Sequence, residues 1–361
     1  MTRRVIKSGV LAGLVGTLCL IVTLGAQQQP PPGVPPLKTI PVQGNVYMIP
    51  GAGANVAVSV GRDGVLLVDS GNEQNAEKLL ATVQWLNHDL MERRRPFMPC
   101  VGITCESSPW GWASPSYNQF TQSPSPAKPI RYIMNTSAHS DHTGGNVKLS
   151  LAGLTYTGGN VTGSITDSGV GAAIVAHDRV SQHLQAAKVN PDAIPTDNYG
   201  TPSYKLSWFF NGEGIQLFHM PNAHSDADSF AWFRYSDVIV TGEVYNTVTY
   251  PVIDTAKGGT INGVIDGLAQ ILDIAFAEFR AQGGTQIIPA RGRVSDVGDV
   301  TNYRNMLYII RDRIKDLKQK GRTLNQVKLE RPTRDYDGRY GATSGPWTTE
   351  MFINAVYQTV K

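Results

Sequence analysis

Cysteine is scarce in this chain, with three residues among 361. Cys19 lies in an apolar N-terminal run, which leaves Cys100 and Cys105 for the rest of the chain. No third sulfur and no nearby histidine accompanies this pair, which disfavours a zinc site built on it. In an oxidising compartment the two cysteines can form a disulfide. Because it closes a small loop, such a bond would hold a local insertion together and not the core.

A basic surplus is also lacking once the start of the chain is set aside. Residues 1–26 begin with basic side chains, continue with an apolar run and end in small residues, which is the pattern of a secretory signal. Removing this segment takes Arg3, Arg4 and Lys7 with it, so the formal net charge falls from +3 to zero. A neutral chain disfavours nucleic acid or anionic lipid as a partner.

The N-terminal apolar run is too short for a typical membrane span. It extends from Val10 to Leu24, whereas a span needs roughly 20 apolar residues. We therefore expect an exported protein, periplasmic or secreted, with an uncleaved N-terminal membrane anchor as the alternative. Residues 27–36 are rich in glutamine and proline and predict an extended leader. Residues 37–361 are expected to form one domain with helices at its C-terminal end.

Short β-branched runs separated by glycine-rich turns dominate that domain. The first three predict an antiparallel meander, followed by a helix. Strands are expected at 46–49, 55–60, 64–68, 130–134, 172–177, 214–219, 229–233, 238–241 and 286–289, and C-terminal helices at 259–281, 300–320 and 347–360. Residues 91–129 show neither period and are expected to be an insertion. Its aromatic side chains either line a substrate mouth or only pack locally.

The densest cluster of potential metal ligands follows the strand expected at 130–134. His139, Asp141 and His142 stand within four positions of one another, in a polar loop closed by two glycines. Imidazole and carboxylate groups are good ligands for a borderline divalent metal such as zinc. The sequence therefore predicts a metal-binding loop at the end of this strand.

This loop, Asn-Thr-Ser-Ala-His-Ser-Asp-His-Thr-Gly-Gly-Asn, resembles the His-x-His-x-Asp-His signature of the metallo-β-lactamase superfamily. The resemblance implies a four-layer αββα sandwich of two mixed, largely antiparallel sheets flanked by helices. It also implies a hydrolytic site for one or two metal ions at one edge. In the family the position of His139 binds the first metal, and those of Asp141 and His142 bind the second. Ser137 stands in place of the first histidine, so one ligand of the first metal is lost.

Three later positions resemble the family's remaining metal motifs. His224 matches a lone histidine that binds the first metal. Glu243 stands where the family has an aspartate that bridges both metals, and it is one methylene longer. Arg291 stands where the family has its last metal-binding histidine. The resemblance thus implies two degenerate ligand positions, Ser137 and Arg291.

Other polar residues near these motifs allow two interpretations. Asp69 either only starts a helix or supports the metal loop as a hydrogen-bond acceptor, as the family's carboxylate at this place does. Asp226 and Asp228 are expected to support the turn that carries His224 and not to bind metal. His177, at a strand-to-helix junction, is expected to be structural.

The retained ligands predict one metal ion, zinc by preference, in place of two. The guanidinium of Arg291 is permanently positive and has no lone pair, so it opposes a dication at the second site. It is expected to pair with Asp141 or Glu243, or to bind an anionic group of the substrate. The alternative is a site that binds no metal ion.

Three functions follow from these ligands. The first is a divergent hydrolase that activates water against an ester, thioester or amide bond of a small molecule, with Asp141 as the base and Arg291 or the metal at the oxyanion. The second is a metal-free exported binding or accessory protein on the same fold. The third is an iron-dependent oxidoreductase.

Overall fold

The computed structural model describes residue 33 and residues 35–93, 127–155, 171–206, 209–276 and 284–360. The expected signal segment, most of the leader and most of the insertion, with Cys100 and Cys105, therefore lie outside the described residues. Within these ranges no helix is both long enough and apolar enough to cross a membrane.

The first sheet contains seven strands that lie side by side in chain order. The first four are antiparallel to their neighbours, and the last three continue from β4 in parallel. The strands are β1 Ile40–Gln43, β2 Val46–Ile49, β3 Val56–Gly61, β4 Gly64–Val68, β5 Ile130–Met134, β6 Ala173–His177 and β7 Asp197–Tyr199. The central strands are covered on both faces, which is why they appear in the sequence as nearly continuous apolar runs.

The second sheet contains five strands in the order β12, β11, β10, β9 and β8. All pairs are antiparallel except β11 with β12. The strands are β8 Ser203–Lys205, β9 Ile215–Met220, β10 Asp228–Phe233, β11 Val238–Val240 and β12 Gln286–Ile288.

Helices cover the outer face of each sheet. Those near the first sheet are α1 Ala76–His88, α2 Ser140–Thr143, α3 Asn146–Leu151 and α4 Asp178–Ala186. Those of the C-terminal part are α5 Ile261–Ile274, α6 Val297–Gln319, α7 Leu324–Glu330, α8 Asp337–Tyr340 and α9 Thr349–Thr359. Leu79 and Leu86 of α1 pack on Ile133 of the first sheet, and Leu268 of α5 and Phe352 of α9 pack on the second.

A third apolar cluster fills the space between the sheets. It contains Leu66 and Met134 from the first sheet and Leu217, Ala231 and Val240 from the second, all essentially inaccessible to solvent. The layers therefore follow the order helix, sheet, sheet, helix. This confirms the αββα sandwich expected from the sequence, and both sheets are mixed.

Pairs of parallel strands bring four loops to one rim of the sandwich. Val68 of β4 is level with Met134 of β5, and Val240 of β11 is level with Ile288 of β12. Because parallel strands end at the same edge, the segments that follow all four strands start together. Hydrogen bonds join the two sheets there, since Asn55 Nδ2 donates to the Pro289 carbonyl oxygen at 2.9 Å. The predicted metal motifs lie at this rim.

Candidate metal centre

His139 and His224 face each other across the rim. His139 lies in the loop between β5 and α2, and His224 lies in the turn between β9 and β10. Their Nε2 atoms are 2.8 Å apart, and their rings meet edge to face with centroids 4.4 Å apart. The Nδ1 of His224 lies 2.9 Å from the Val252 carbonyl oxygen. That contact places the His224 proton on Nδ1 and turns the lone pair of its Nε2 towards His139.

Both imidazoles are suited to share a cation. Burial, and then the neighbouring His224, lower the pKa of His139 to about 4, so this ring is neutral at physiological pH. Two imidazole rings whose Nε2 atoms face each other at this distance share one proton in a hydrogen bond, and the same two nitrogens are suitable ligands for one metal ion. The donor chemistry is that of a zinc-type site.

Two carboxylates lie beside this pair. The ligand atoms of His139, Asp141 and Glu243 all lie within 4.8 Å of one another, which makes these residues a possible metal-binding triad. Glu243 belongs to a single 3-10 turn, Gly242–Val244, at the end of β11. Gly242 has a φ of +51°, and a Cβ there would lie 2.5 Å from the Thr136 hydroxyl oxygen. Glycine therefore allows Glu243 to approach the metal loop.

Arg291 bridges the same two carboxylates. Its guanidinium donates to both oxygens of Glu243, at 2.8 and 3.1 Å, and also to Asp141. Burial acts to lower the pKa of Arg291, but Glu243 and Asp141 raise it above its ordinary value. A permanent positive charge thus occupies the place next to the ligands that the family resemblance assigns to a second metal.

His142 is fully buried between two further carboxylates. Its Nδ1 lies 2.7 Å from Asp69 and its Nε2 lies 2.8 Å from Glu243. Burial opposes protonation, but Asp69 and Glu243 raise the pKa of His142 well above its ordinary value. The ring therefore donates from both nitrogens and presents no lone pair. Burial likewise favours the neutral acid of Glu243, but His142 and Arg291 hold its pKa well below the usual range.

Asp69 supports the metal loop from the end of β4. Its two oxygens accept hydrogen bonds from the Thr136 amide at 2.8 Å and the Thr136 hydroxyl at 2.6 Å, in addition to the His142 contact. Asp69 has a φ of +66°, a left-handed conformation that non-glycine residues rarely adopt. The cap of the first helical turn is Asn72 and not Asp69. Of the two interpretations of Asp69, its hydrogen bonds correspond to a carboxylate that supports the loop of residues 135–146.

Asp228 and Ser137 have supporting positions as well. Asp228 Oδ2 accepts the Ser225 amide at 2.5 Å, and burial raises the pKa of Asp228 to about 6. Its Oδ1 is buried without a hydrogen-bond partner among the described residues. The buried hydroxyl of Ser137 lies 3.4 Å from the His139 amide, inside the metal loop. In this position Ser137 contacts the loop backbone.

The charges of the cluster leave an excess of negative charge. Asp69, Asp141 and Glu243 contribute three negative charges, His142 and Arg291 contribute two positive ones, and the buried Asp228, with a pKa of about 6, adds a further negative charge at neutral pH. A buried excess charge is stabilised by a counter-ion. The donor set of two imidazoles with carboxylate oxygens therefore fits one divalent cation. It does not fit two, because Arg291 and the protonated His142 already fill the other side of Glu243.

Two residues that shape the site were not singled out from the sequence. Thr136 bonds Asp69 with its amide and hydroxyl, and Ser225 bonds Asp228 in the same way. Each lies next to a degenerate or retained ligand position. Hydroxyl residues in such loops are a signal for local hydrogen bonding that sequence alone could have supplied.

Comparison with known proteins decides the fold and leaves the reaction open. No family model and no curated protein sequence matches this chain. A solved structure of a double mutant of the sec-alkyl sulfatase PisA1 matches with a TM-score of 0.56 at 13% identity, covering 89% of this chain. The stereoselective inverting sec-alkylsulfatase Pisa1 from Pseudomonas sp. matches with a TM-score of 0.55 at 12% identity and the same 89% coverage. The chain has the metallo-β-lactamase fold.

The chain covers 50% of each alkylsulfatase structure and so spans about half the length of these proteins. The metallo-β-lactamase DIM-1 matches with a TM-score of 0.48 at 14% identity, over 76% of this chain and 99% of that one. At identities of 13% and 12%, the TM-scores of 0.56 and 0.55 to the alkylsulfatases show a shared fold and nothing more. The reaction has to be argued from the site itself.

Proposed function

We propose that this protein is a metal-dependent hydrolase with one divalent metal ion, zinc by preference. The observation that carries the proposal is the contact of His139 with His224, whose Nε2 atoms lie 2.8 Å apart, together with the ligand atoms of Asp141 and Glu243 that lie within 4.8 Å of His139. The ligands are these two histidines and a carboxylate oxygen of Asp141 or Glu243. Three protein ligands with one open position are the usual set of a catalytic zinc.

In this proposal Arg291 and His142 replace the second metal ion. Both donate to Glu243, and Arg291 also donates to Asp141. The resemblance assigns the carboxylates of Glu243 and Asp141 to the second metal. In this structure the positively charged side chains of Arg291 and His142 neutralise them instead. His142 is then a positioning residue and not a ligand, because both of its nitrogens are bonded to carboxylates.

The remaining chemistry is divided among the chain's own residues. A bound metal ion supplies a water of lowered pKa and a Lewis acid for the bond under attack. Asp141 is partly exposed at the rim, and with Glu243 as the third ligand we assign Asp141 the acceptance of the proton of the attacking water. Arg291 uses three hydrogen bonds to hold Glu243 and Asp141. The other N–H groups of its partly exposed guanidinium are assigned to the oxyanion of an ester, thioester or amide substrate.

Metal content of the purified protein tests this proposal. After refolding with excess zinc and removal of free metal, we expect mass spectrometry to find about one zinc per chain. Substitution of His139 or His224 by alanine should abolish it, whereas His88→Ala, in the last turn of α1, should not. Near-zero occupancy of the wild-type protein would exclude the hydrolase as proposed.

A metal-free binding or accessory protein is the second candidate. One observation favours it: the ion pairs from Asp69 through His142 and Glu243 to Arg291 and Asp141 form an unbroken internal network. Such a network can persist without any metal as a remnant of the fold. The same zinc measurement separates the candidates, because this one binds none. No observation on the described residues favours the iron-dependent oxidoreductase.

We also propose an exported protein that acts on a small molecule. The support is the signal-like pattern of residues 1–26 and the neutral charge of the remaining chain. Detection of the chain in a periplasmic or culture fraction, with an N-terminus near residue 27, tests export. Retention of the full-length chain in the membrane fraction would favour the anchor.

A further inference from the structure

Two histidines outside the metal centre stack on each other between the sheets. His177 ends β6 of the first sheet, and His219 lies on β9 of the second. Their ring centroids are 3.5 Å apart, and the ring planes differ by 3°. Tyr199 packs its ring edge to face against His177. This stack is a direct contact between the two sheets close to the turn that carries His224.

The backbone fixes a different tautomer for each ring. The Nδ1 of His219 lies 3.0 Å from the Asp228 carbonyl oxygen and therefore carries the proton. The Nδ1 of His177 accepts the Arg179 amide at 3.3 Å, as the cap of α4, and therefore carries none. The acceptor role of Nδ1 thus holds the His177 ring in its neutral form, and the contact of His219 fixes the place of one proton on that ring.

The stack is joined to the His224 turn through one residue. Asp228 gives its carbonyl oxygen to His219, and its carboxylate accepts the amide of Ser225 at 2.5 Å. Ser225 directly follows His224 in the chain. A hydrogen-bonded path of two residues therefore connects the His219 ring with the backbone that holds the proposed metal ligand.

We propose that the stacked pair of His177 and His219 is a positioning device for the metal centre, which clasps the two sheets and fixes the His224 turn through Asp228. The metal-dependent part of this inference rests on the proposed function. The clasp itself is a property of the fold. Without the pair, the turn that carries His224 would lose a contact that helps to set its distance from the first sheet.

Acid should open the clasp. Burial, and then the neighbouring His177, lower the pKa of His219 to about 4, and burial also lowers the pKa of His177. The titratable and charged groups that face the pair are Asp178 and Arg179 at the start of α4, Asp226 in the turn, Tyr199 on β7 and Asp228 on β10. Because burial raises the pKa of Asp228 to about 6, this carboxyl titrates in the same range, and the stack accounts only for the part of the acid effect that His177→Asn removes. Because the clasped state favours neutral rings, its stabilisation is present above pH 6.5 and is lost as the pH falls towards 4.

Two matched pairs of variants test the clasp. His219→Leu removes the donor to Asp228, whereas His219→Asn keeps an amide donor near the position of Nδ1. His177→Asn keeps a capping acceptor for α4 but removes the stacking ring, whereas His177→Phe keeps a ring and removes the cap. Amide hydrogen exchange of Ser225 in the metal-free protein reports the position of the turn. Zinc affinity at pH 7 reports the effect on the site.

We expect His219→Leu and His177→Asn to raise the exchange rate of the Ser225 amide about tenfold, as for the loss of one hydrogen bond, and to weaken zinc binding in parallel. His177→Phe, which keeps a ring in the stack, should stay within about threefold of the wild type, whereas His219→Asn, which keeps a donor but loses the stack, should behave like His177→Asn. In the wild type, exchange corrected for its intrinsic pH dependence should accelerate below pH 6.5. The same acceleration in His177→Asn would contradict a role for the stack in acid.

Unchanged Ser225 exchange in His219→Leu and His177→Asn would overturn the clasp. If the wild-type protein binds no zinc, the proposed function fails, and the exchange rates alone decide the clasp. If zinc binds and only exchange is unaffected, the clasp fails and the proposed function stands. The two failures are therefore distinguishable.

Discussion

At the scale of the residue, Glu243 is the carboxylate on which both cations of the site converge. It accepts from His142 at 2.8 Å and from Arg291 at 2.8 Å, and its side chain is almost inaccessible to solvent. Glutamate is one methylene longer than the aspartate that the family resemblance places at this position. The structure shows that Glu243 reaches both partners. The negative charge of Glu243 therefore neutralises the positive charges of His142 and Arg291.

Removal of that charge should destabilise the fold. Glu243→Gln preserves the size of the side chain but leaves the buried His142 cation with only one of its two carboxylates. Breaking a buried ion pair in this way costs about 3 to 5 kcal/mol. Urea unfolding at pH 7 measures the free energy of unfolding, with Glu330→Gln at the exposed end of α7 as a matched control. A loss of less than 1 kcal/mol, on the order of a surface pair, would contradict the buried network.

Restoration of the two degenerate positions should increase metal binding. The double variant Ser137→His, Arg291→His supplies a third histidine to the first site and removes the guanidinium from Asp141 and Glu243. We expect zinc content to rise towards two ions per chain, with an increase in esterase-type activity. Ser137→Ala with Arg291→Lys is the control that changes the same positions without adding ligands. Unaltered zinc content would show that these positions are not ligand sites.

At the scale of the element, the pattern of the sequence located the strands that are buried and missed those held only by a neighbour. Runs such as 64–68 and 130–134 match β4 and β5 because their apolar residues face helices and the second sheet. Strands β1, β7 and β8 are three or four residues long and partly exposed. Their conformation depends on pairing with the adjacent strand, which periodicity does not record.

The candidate site could be predicted in its loops but not in its contacts. The ligand types and their places at strand ends follow from local sequence, as His139 and His224 show. The protonated state of His142 requires Asp69 and Glu243 on opposite sides of its ring. These three residues follow three different strands. No local pattern contains that information. The sequence predicts that Arg291 pairs with Asp141 or Glu243, and in the structure it pairs with both.

A buried carboxyl outside the site gives an element-scale pH dependence. Glu213, before β9, accepts the Ser236 amide at 3.0 Å and its hydroxyl at 2.8 Å and so holds the turn between β10 and β11. Burial raises the pKa of Glu213 to about 7. Since the folded state binds the proton more tightly, the stabilisation is present below about pH 4.5, the ordinary glutamate value, and is lost as the pH rises through 7.

Replacement of this glutamate by its amide should remove that dependence. In Glu213→Gln we expect the free energy of unfolding, relative to wild type, to increase between pH 5 and pH 8 by up to about 3 kcal/mol. Urea unfolding across this range measures the difference. Asp192→Asn, on an exposed loop, is the control. A difference that does not change with pH would mean that Glu213 is ionised in the folded protein.

At the scale of the whole molecule, the proposed metal ion would join the two sheets. His139 follows a strand of the first sheet, and His224 precedes a strand of the second. The stack of His177 on His219 is a further junction between the sheets, in addition to the hydrogen bond from Asn55 to Pro289. The site is therefore a place where the packing of the sandwich and the geometry of the ligands depend on each other.

Zinc should consequently stabilise the whole chain against heat. A ligand that binds only the folded state, present at 100 times its dissociation constant, adds about 2.7 kcal/mol. We expect calorimetry to show a higher Tm with zinc for the wild type and no change for the double variant His139→Ala, His224→Ala. Magnesium, which prefers oxygen ligands, serves as the control ion. An equal shift in the double variant would place the stabilising ion elsewhere.

The attachment of the expected insertion has a consequence for how this chain can diverge. Asn87 near the end of α1 donates to the carbonyl oxygen of Lys128, just before β5 starts. The chain thus departs and re-enters at one place, at the opposite end of β5 from the loop with His139. A change in the number of residues between these two points can therefore leave both α1 and β5 in place. A shortened chain that joins them with a brief linker should keep β5 and the loop that carries His139.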